Sequence, residues 1–176
     1  MRKVLVERSL TFPDPICSPA GLHRGAESLL TARPGWRDLL DLACSRIGAA
    51  VHAHGGAVKI SQIQVSRGCL NLYWQGTASQ KTRDLVEDAL ALAEARSACT
   101  CEICGNDGKL HRHDCDLLTR CDIHARGNLV KIPRGFANVH LVRITEGSSR
   151  SIQICRYDRI GDSFVVLDAA SLGSAE

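Results

Sequence analysis

The chain has 176 residues, 22 Lys or Arg against 19 Asp or Glu, with 44% hydrophobic and only 4% aromatic residues. That length allows one ordinary domain or two small ones with a real core, and the near-average charge and hydrophobicity exclude wholesale disorder and collagen-like or fibrous architectures. No apolar run reaches the roughly 18 residues a membrane-spanning helix needs, which leaves nine cysteines as the unusual count.

The opening Met1-Arg-Lys-Val-Leu-Val-Glu-Arg mixes charges before any apolar stretch of about 7 to 15 residues can form, so no signal peptide is expected. The expectation is a cytoplasmic protein with reduced cysteines, available for metal ligation, catalysis or packing. Val4, Leu5 and Val6 read as a short strand, and Pro13, Pro15, Pro19 and Pro34 make residues 1–35 an irregular N-terminal arm. From Trp36 the period turns helical, with Trp36, Leu40, Ala43, Ile47 and Val51 on one stripe and Gly55-Gly56 as its stop. Residues 58–65 and 69–74 read as strands about the turn Ser66-Arg67-Gly68, and the slip of apolar phase between Ile60 and Ile63 predicts a bulge. Thr77 to Gln80 reads as a capping-box start for a second helix, whose apolar face is Leu85, Val86, Ala89, Leu92 and Ala93.

Beyond a cysteine-rich stretch, residues 139–145, 151–157 and 163–167 are short, β-branched and separated by turn residues, predicting an antiparallel meander, with 129–132 as a fourth strand. The fold class expected is α+β: a helix-hairpin-helix unit and a central zinc ribbon or treble-clef knuckle over 36–126, then a β-meander over 127–176.

The metal reading rests on Cys101-Glu-Ile-Cys104-Gly105 and, 16 residues later, Cys121-Asp-Ile-His124. Zinc takes four soft or borderline ligands in a tetrahedron, and a C-x2-C turn puts two thiolates on one side of the ion. Gly105 lets the chain fold back after the second sulfur, and Cys121 and His124 would share one side of a first helical turn and close the set. A site with four protein ligands is structural, so Zn2+ would stabilise the fold rather than activate water. Cys99, His111, His113 and Cys115 are surplus: Cys99 could replace Cys101, and Cys115 could compete with Cys121. Cys17, Cys44, Cys69 and Cys155 have no spaced partner and default to packing or loops.

Cys104 to Asp114, carrying His111 and His113, has some likeness to HNH endonucleases, in which a histidine acts as general base beside a metal ion. Only six residues separate Asp114 from Cys121, too few for the loop such a site uses. The chain has no G-x-S-x-G elbow, no Walker phosphate loop and no H-E-x-x-H. A degenerate metal nuclease is the least favoured reading.

Three stretches resemble an uncharacterised family of small bacterial and prophage-type zinc-knuckle proteins: Gly35-Trp36-Arg37-Asp38-Leu39-Leu40, the hairpin from Ile60 to Tyr73, and Ala95 to Gly105 with Leu118 to Ala125. The resemblance spans about residues 35–126, matches the four proposed ligands, and implies the same helix, hairpin, helix and knuckle. This chain differs from the family in the hairpin and in the additional Cys99 and Cys115.

Charge is uneven: residues 123–160 hold seven basic and two acidic side chains. Arg126, Lys131, Arg134, Arg143, Arg150, Arg156 and Arg159 are the candidate partner surface, suited to an acidic protein or to phosphate. Few aromatics lie in this region, which weakens base stacking relative to a protein partner. The function expected is a non-enzymatic, zinc-stabilised binding protein acting through protein contacts, such as a phage or mobile-element regulator or an inhibitor of host machinery. The alternative is nucleic-acid binding through the basic C-terminal sheet.

Overall fold

The computed structural model describes residues 33–146 and 149–168, and the side chains of 145–150 are not described. The strand expected at residues 4–6 and nearly all of the arm over 1–35 lie outside the described residues. Pro34–Trp36 forms one 3-10 turn that runs into helix α1 (Arg37–His54). Of the predicted stripe, Trp36, Leu40, Ala43 and Ile47 are buried and Val51 packs partly buried against the same core, while Leu39 and Ala50 are buried as well. Gly55 ends the helix at φ 74°, a backbone conformation that costs glycine nothing.

Strands β1 (Ala57–Ser66) and β2 (Cys69–Thr77) pair antiparallel about Arg67 and Gly68. The predicted bulge is present, because the register shifts between Ile60, opposite Trp74, and Gln62, opposite Tyr73. The extra residue restores phase, so that Val58 and Ile60 before it and Ile63 and Val65 after it all pack on one core. Helix α2 (Gln80–Ser97) starts two residues later than predicted. Thr77 still belongs to β2, and Ser79 is the N-cap, its Oγ accepting from the Thr82 amide at 3.2 Å. Val86, Ala89, Leu90 and Ala93 join the α1 stripe over the β1–β2 pair. The amides of Leu70 and Leu72 donate to Ser97 Oγ and Glu94 Oε1, each at 2.8 Å, so α2 side chains satisfy backbone groups of β2.

Next come β3 (Lys109–His113), β4 (Asp116–Arg120) and β5 (Asn128–Leu129), a sheet of order β4-β3-β5. The segment expected as a fourth meander strand is thus different in kind: Leu129 pairs with His111 of β3, and the Val130 amide donates to Leu110 O. Gly127 makes this possible, because a Cβ there would lie 2.0 Å from Arg112 O.

Strands β6 (Val139–Glu146), β7 (Ser149–Asp158) and β8 (Ser163–Val166) form the third antiparallel sheet, in chain order. Directly opposed residues share a face. The inner face carries Val142, Cys155, Tyr157 and Phe164, with Tyr157 and Phe164 packing toward Leu92, Ala95 and Cys99. The outer face carries Val139, Leu141, Ile152, Ile154 and Val165 with Arg143 and Arg156. Among the described residues, no helix is long and apolar enough to cross a membrane.

A polar cluster fixes this third sheet to the helices. The Tyr157 hydroxyl donates to Asp162, whose carboxylate also pairs with Arg46 of α1 at 2.7 Å and Arg96 of α2 at 3.3 Å. Burial alone would raise the Asp162 pKa, but the Tyr157 hydrogen bond and the two guanidinium groups outweigh it and hold the carboxyl below its ordinary value. A depressed carboxyl contributes stability above the unfolded aspartate pKa, near pH 4, and that contribution is lost as pH falls through the folded value. We expect Asp162→Asn to cost about 1–3 kcal/mol at pH 7 and progressively less toward acid, read from urea unfolding at several pH values. A deficit that does not change with pH would refute this role.

Candidate metal centre

Cys101 and Cys104 lie on the turn just after α2, and Cys121 and His124 on the turn after β4. One ligand atom from each of the four lies within 4.8 Å of all the others. Cys104 Sγ is 3.7 Å from Cys121 Sγ, and His124 Nδ1 is 3.7 Å from Cys101 Sγ and 3.2 Å from Cys121 Sγ. The four can hold a metal ion.

Tight backbone turns produce this convergence. The Gly105 amide donates to Cys101 O at 2.9 Å with Gly105 at φ 80°, the sharp fold-back expected after the second sulfur. The His124 amide donates to Cys121 O at 3.0 Å. Here the predicted helical turn is not found: Cys121 to His124 is an isolated turn, and the chain continues to Gly127 and strand β5.

Burial raises the Cys101 thiol, but the amides of Cys121, Cys104 and Ile103 outweigh it and lower the pKa to about 6. At Cys104 the Asn106 amide lowers the pKa, yet partial burial and the sulfurs of Cys101 and Cys121 raise it further. Thiolates gathered this closely repel one another, which is the electrostatic problem a bound cation removes.

Of the surplus candidates, Cys99 is buried with its thiol toward Ala95 O and Arg96 O, and burial raises its pKa. It is a packing residue and does not replace Cys101. Cys115 is exposed on the β3–β4 turn. His111 is buried, its Nδ1 donating to Lys109 O at 2.9 Å, while His113 is exposed beside Asp114. Cys17 lies outside the described residues.

The seat around the cluster escaped sequence reasoning. Glu102, inside the C-x2-C, is buried and takes Arg33 on one oxygen at 2.8 Å and Arg120 on the other at 2.6 Å. The Gly35 amide donates to Glu102 O, and a Cβ on Gly35 would meet Cys101 O at 2.2 Å and Gly105 N at 2.5 Å. The Trp36 indole donates to Thr100 O at 3.0 Å. The only hint of this in the sequence was the glycine before a tryptophan in a chain with two.

The candidate partner surface is scattered. Arg126, Lys131 and Arg134 are exposed on the connection around β5, and Arg143 and Arg156 lie on the outer face of the third sheet. The side chain of Arg150 is not among those described. Arg159 corrects the expectation: it turns inward, donating to Gly105 O at 2.9 Å and pairing with Asp107 of the knuckle, so it serves cohesion rather than a free surface.

Removing a buried, doubly paired carboxylate leaves two guanidinium groups without their counter-ion. We expect Glu102→Ala to destabilise the protein by about 3–5 kcal/mol, with Arg33→Ala and Arg120→Ala each milder, measured by denaturant titration of the metal-loaded protein. Equal, negligible effects of all three would show that the seat contributes little. Compared with protein-family models, curated proteins and solved structures, the chain matches none.

Proposed function

We propose that the chain is a non-enzymatic, zinc-stabilised binding protein that acts through protein contacts. For the metal, the donor set argues for Zn2+: three thiols and one imidazole with no open position are a structural zinc set. A regular tetrahedron with metal–sulfur bonds of about 2.3 Å has sulfur–sulfur edges of about 3.8 Å, and the Cys104–Cys121 separation is 3.7 Å. The fold of the Cys101–His124 region then looks like a zinc ribbon or knuckle, without the helix that would complete a treble clef.

The observation that carries the binding half is the outer face of the third sheet, where aliphatic side chains stand exposed instead of alternating with polar ones. Catalysis gets no such support. Cys155 and His140 sit directly opposite each other on the inner face, but burial raises the thiol and lowers the imidazole, both shifts working against a reactive ion pair. The burial of His111 counts against a nuclease base. The resemblance over 35–126 to prophage-type zinc-knuckle proteins favours a mobile-element regulator or an inhibitor of host machinery.

We expect about one zinc per chain by elemental analysis, reduced in both Cys104→Ser and Cys121→Ser, and a marked fall in melting temperature when a chelator strips the metal. Unchanged zinc in both variants would overturn the ligand set. For function, tagged protein recovered from its own cells should carry a partner protein in stoichiometric amount, and clean monomer would count against the proposal. The exposed Arg126, Lys131 and Arg134 support a second reading, nucleic-acid binding. That reading requires a gel shift weakening steeply with salt, and no shift at low salt sinks it.

A further inference from the structure

We propose that the outer face of the third sheet docks an acidic amphipathic helix of a partner protein, its aliphatic stripe on Leu141, Ile152, Ile154 and Val165 and its carboxylates on Arg143 and Arg156. This rests on the protein-binding reading above and names the chemistry of the partner.

The pairing register defines the face. Leu141 is opposite Ile154, Arg143 opposite Ile152, and Arg156 lies between Val139 and Val165. Leu141, Ile152 and Val165 are 76%, 70% and 53% exposed. Such residues are normally polar on the free face of an antiparallel sheet, because that face meets water. Here Leu141, Ile154 and Ile152 are neighbours in the register, with Val165 beside Arg156, and such an exposed aliphatic patch is of the kind that marks an interaction site. The inner face already lies against α2, so a helix on the outer face would complete a layered packing that the chain itself provides on one side only.

Size and charge decide between occupants. Three strands at about 4.8 Å spacing and about 20 Å long present on the order of 300 Å². A stable interface takes about 800 Å² per partner, so the face is too small to hold a second globular copy by itself. It matches one helix, about 10 Å wide. The charge on the face is positive. Asp158 is the one acidic residue among its described side chains, its carboxylate accepting from the Ile160 and Gly161 amides, and it leaves Arg143 and Arg156 in excess by one charge. Arg156 gives one N–H to Gly135 O. Arg143 meets Glu87 at 3.3 Å in an exposed pair, which exchanges for another carboxylate at little cost. Two copies would set like charges together, whereas a helix flanked by Asp or Glu complements them.

The test is selection of a displayed library of helix-stabilised peptides on the zinc-loaded full chain, with affinities of recovered peptides measured by fluorescence anisotropy. Selected peptides should place aliphatic residues at i, i+3, i+4 and i+7 with Asp or Glu alongside. Leu141→Asp and Ile152→Asp should each weaken binding at least tenfold with an unchanged thermal melt, as expected for exposed positions. The double variant Arg143→Glu, Arg156→Glu should shift selection toward Lys-bearing peptides. The proposal is overturned by selecting nothing, by peptides without acidic bias, by binding that survives Leu141→Asp, or by a concentration-dependent dimer that Leu141→Asp dissociates. A partner that still co-purifies with Leu141→Asp would leave the protein-binding reading standing and remove only this face.

Discussion

The segment from Cys99 to about Arg126 has almost no apolar core of its own. Its buried side chains are Cys99, Cys101, Cys121, Thr100, Glu102, His111 and Thr119, groups that gain little from leaving water unless each finds a partner. The contrast is with the α1, hairpin and α2 region, where Leu, Ile, Val and Trp side chains bury against one another. A polar loop region of this kind holds its shape through cross-links, and the convergence of three cysteines and a histidine supplies one when a metal binds.

That convergence is also the junction of the molecule. From one side, Gly35 lies against Cys101 and Gly105, and Trp36 anchors to Thr100. From a second, Thr119 of β4 donates to Gly68 O at the hairpin turn, where a Cβ would meet Leu110. From a third, Arg159 of the β7–β8 turn reaches Gly105 O and Asp107. Three otherwise separate elements therefore meet on one turn-rich region. A metal held there would stabilise their arrangement as well as its own loop, and this is why the residues that grip the knuckle matter as much as the four that converge within it.

What could be read from the sequence follows from which interactions are local. Helix and strand periodicity exposed α1, α2, the β1–β2 pair with its bulge, and the third sheet, because core-facing positions repeat at 3.6 or 2 residues. The metal quartet was legible because ligand spacing is fixed by the geometry of a tight turn. Glu102 was not: a charged residue is buried only where two distant arginines meet it, and Arg33 is 69 positions away. The same holds for Arg159, which looked like one more surface cation until the fold brought Gly105 to it. The reach of β5 to β3 was missed because a two-residue strand has no measurable period and owes its place to Gly127.

The third sheet shows how anchoring and recognition can be divided within one small element. Its fixed contacts gather at the β7–β8 end, through Tyr157, Asp162 and Arg159. The exposed aliphatic rows, Leu141 with Ile154 and Arg143 with Ile152, lie toward the β6–β7 end, where the exposed Arg143–Glu87 pair adds little. Stability is local, so an end tied by buried polar contacts can hold register while the opposite end stays exposed to solvent. A helix laid across those rows would cover apolar surface that the rest of the chain leaves in water. The gain from docking would then come mostly from that burial, and the arginines would set the sign of the charges that may approach.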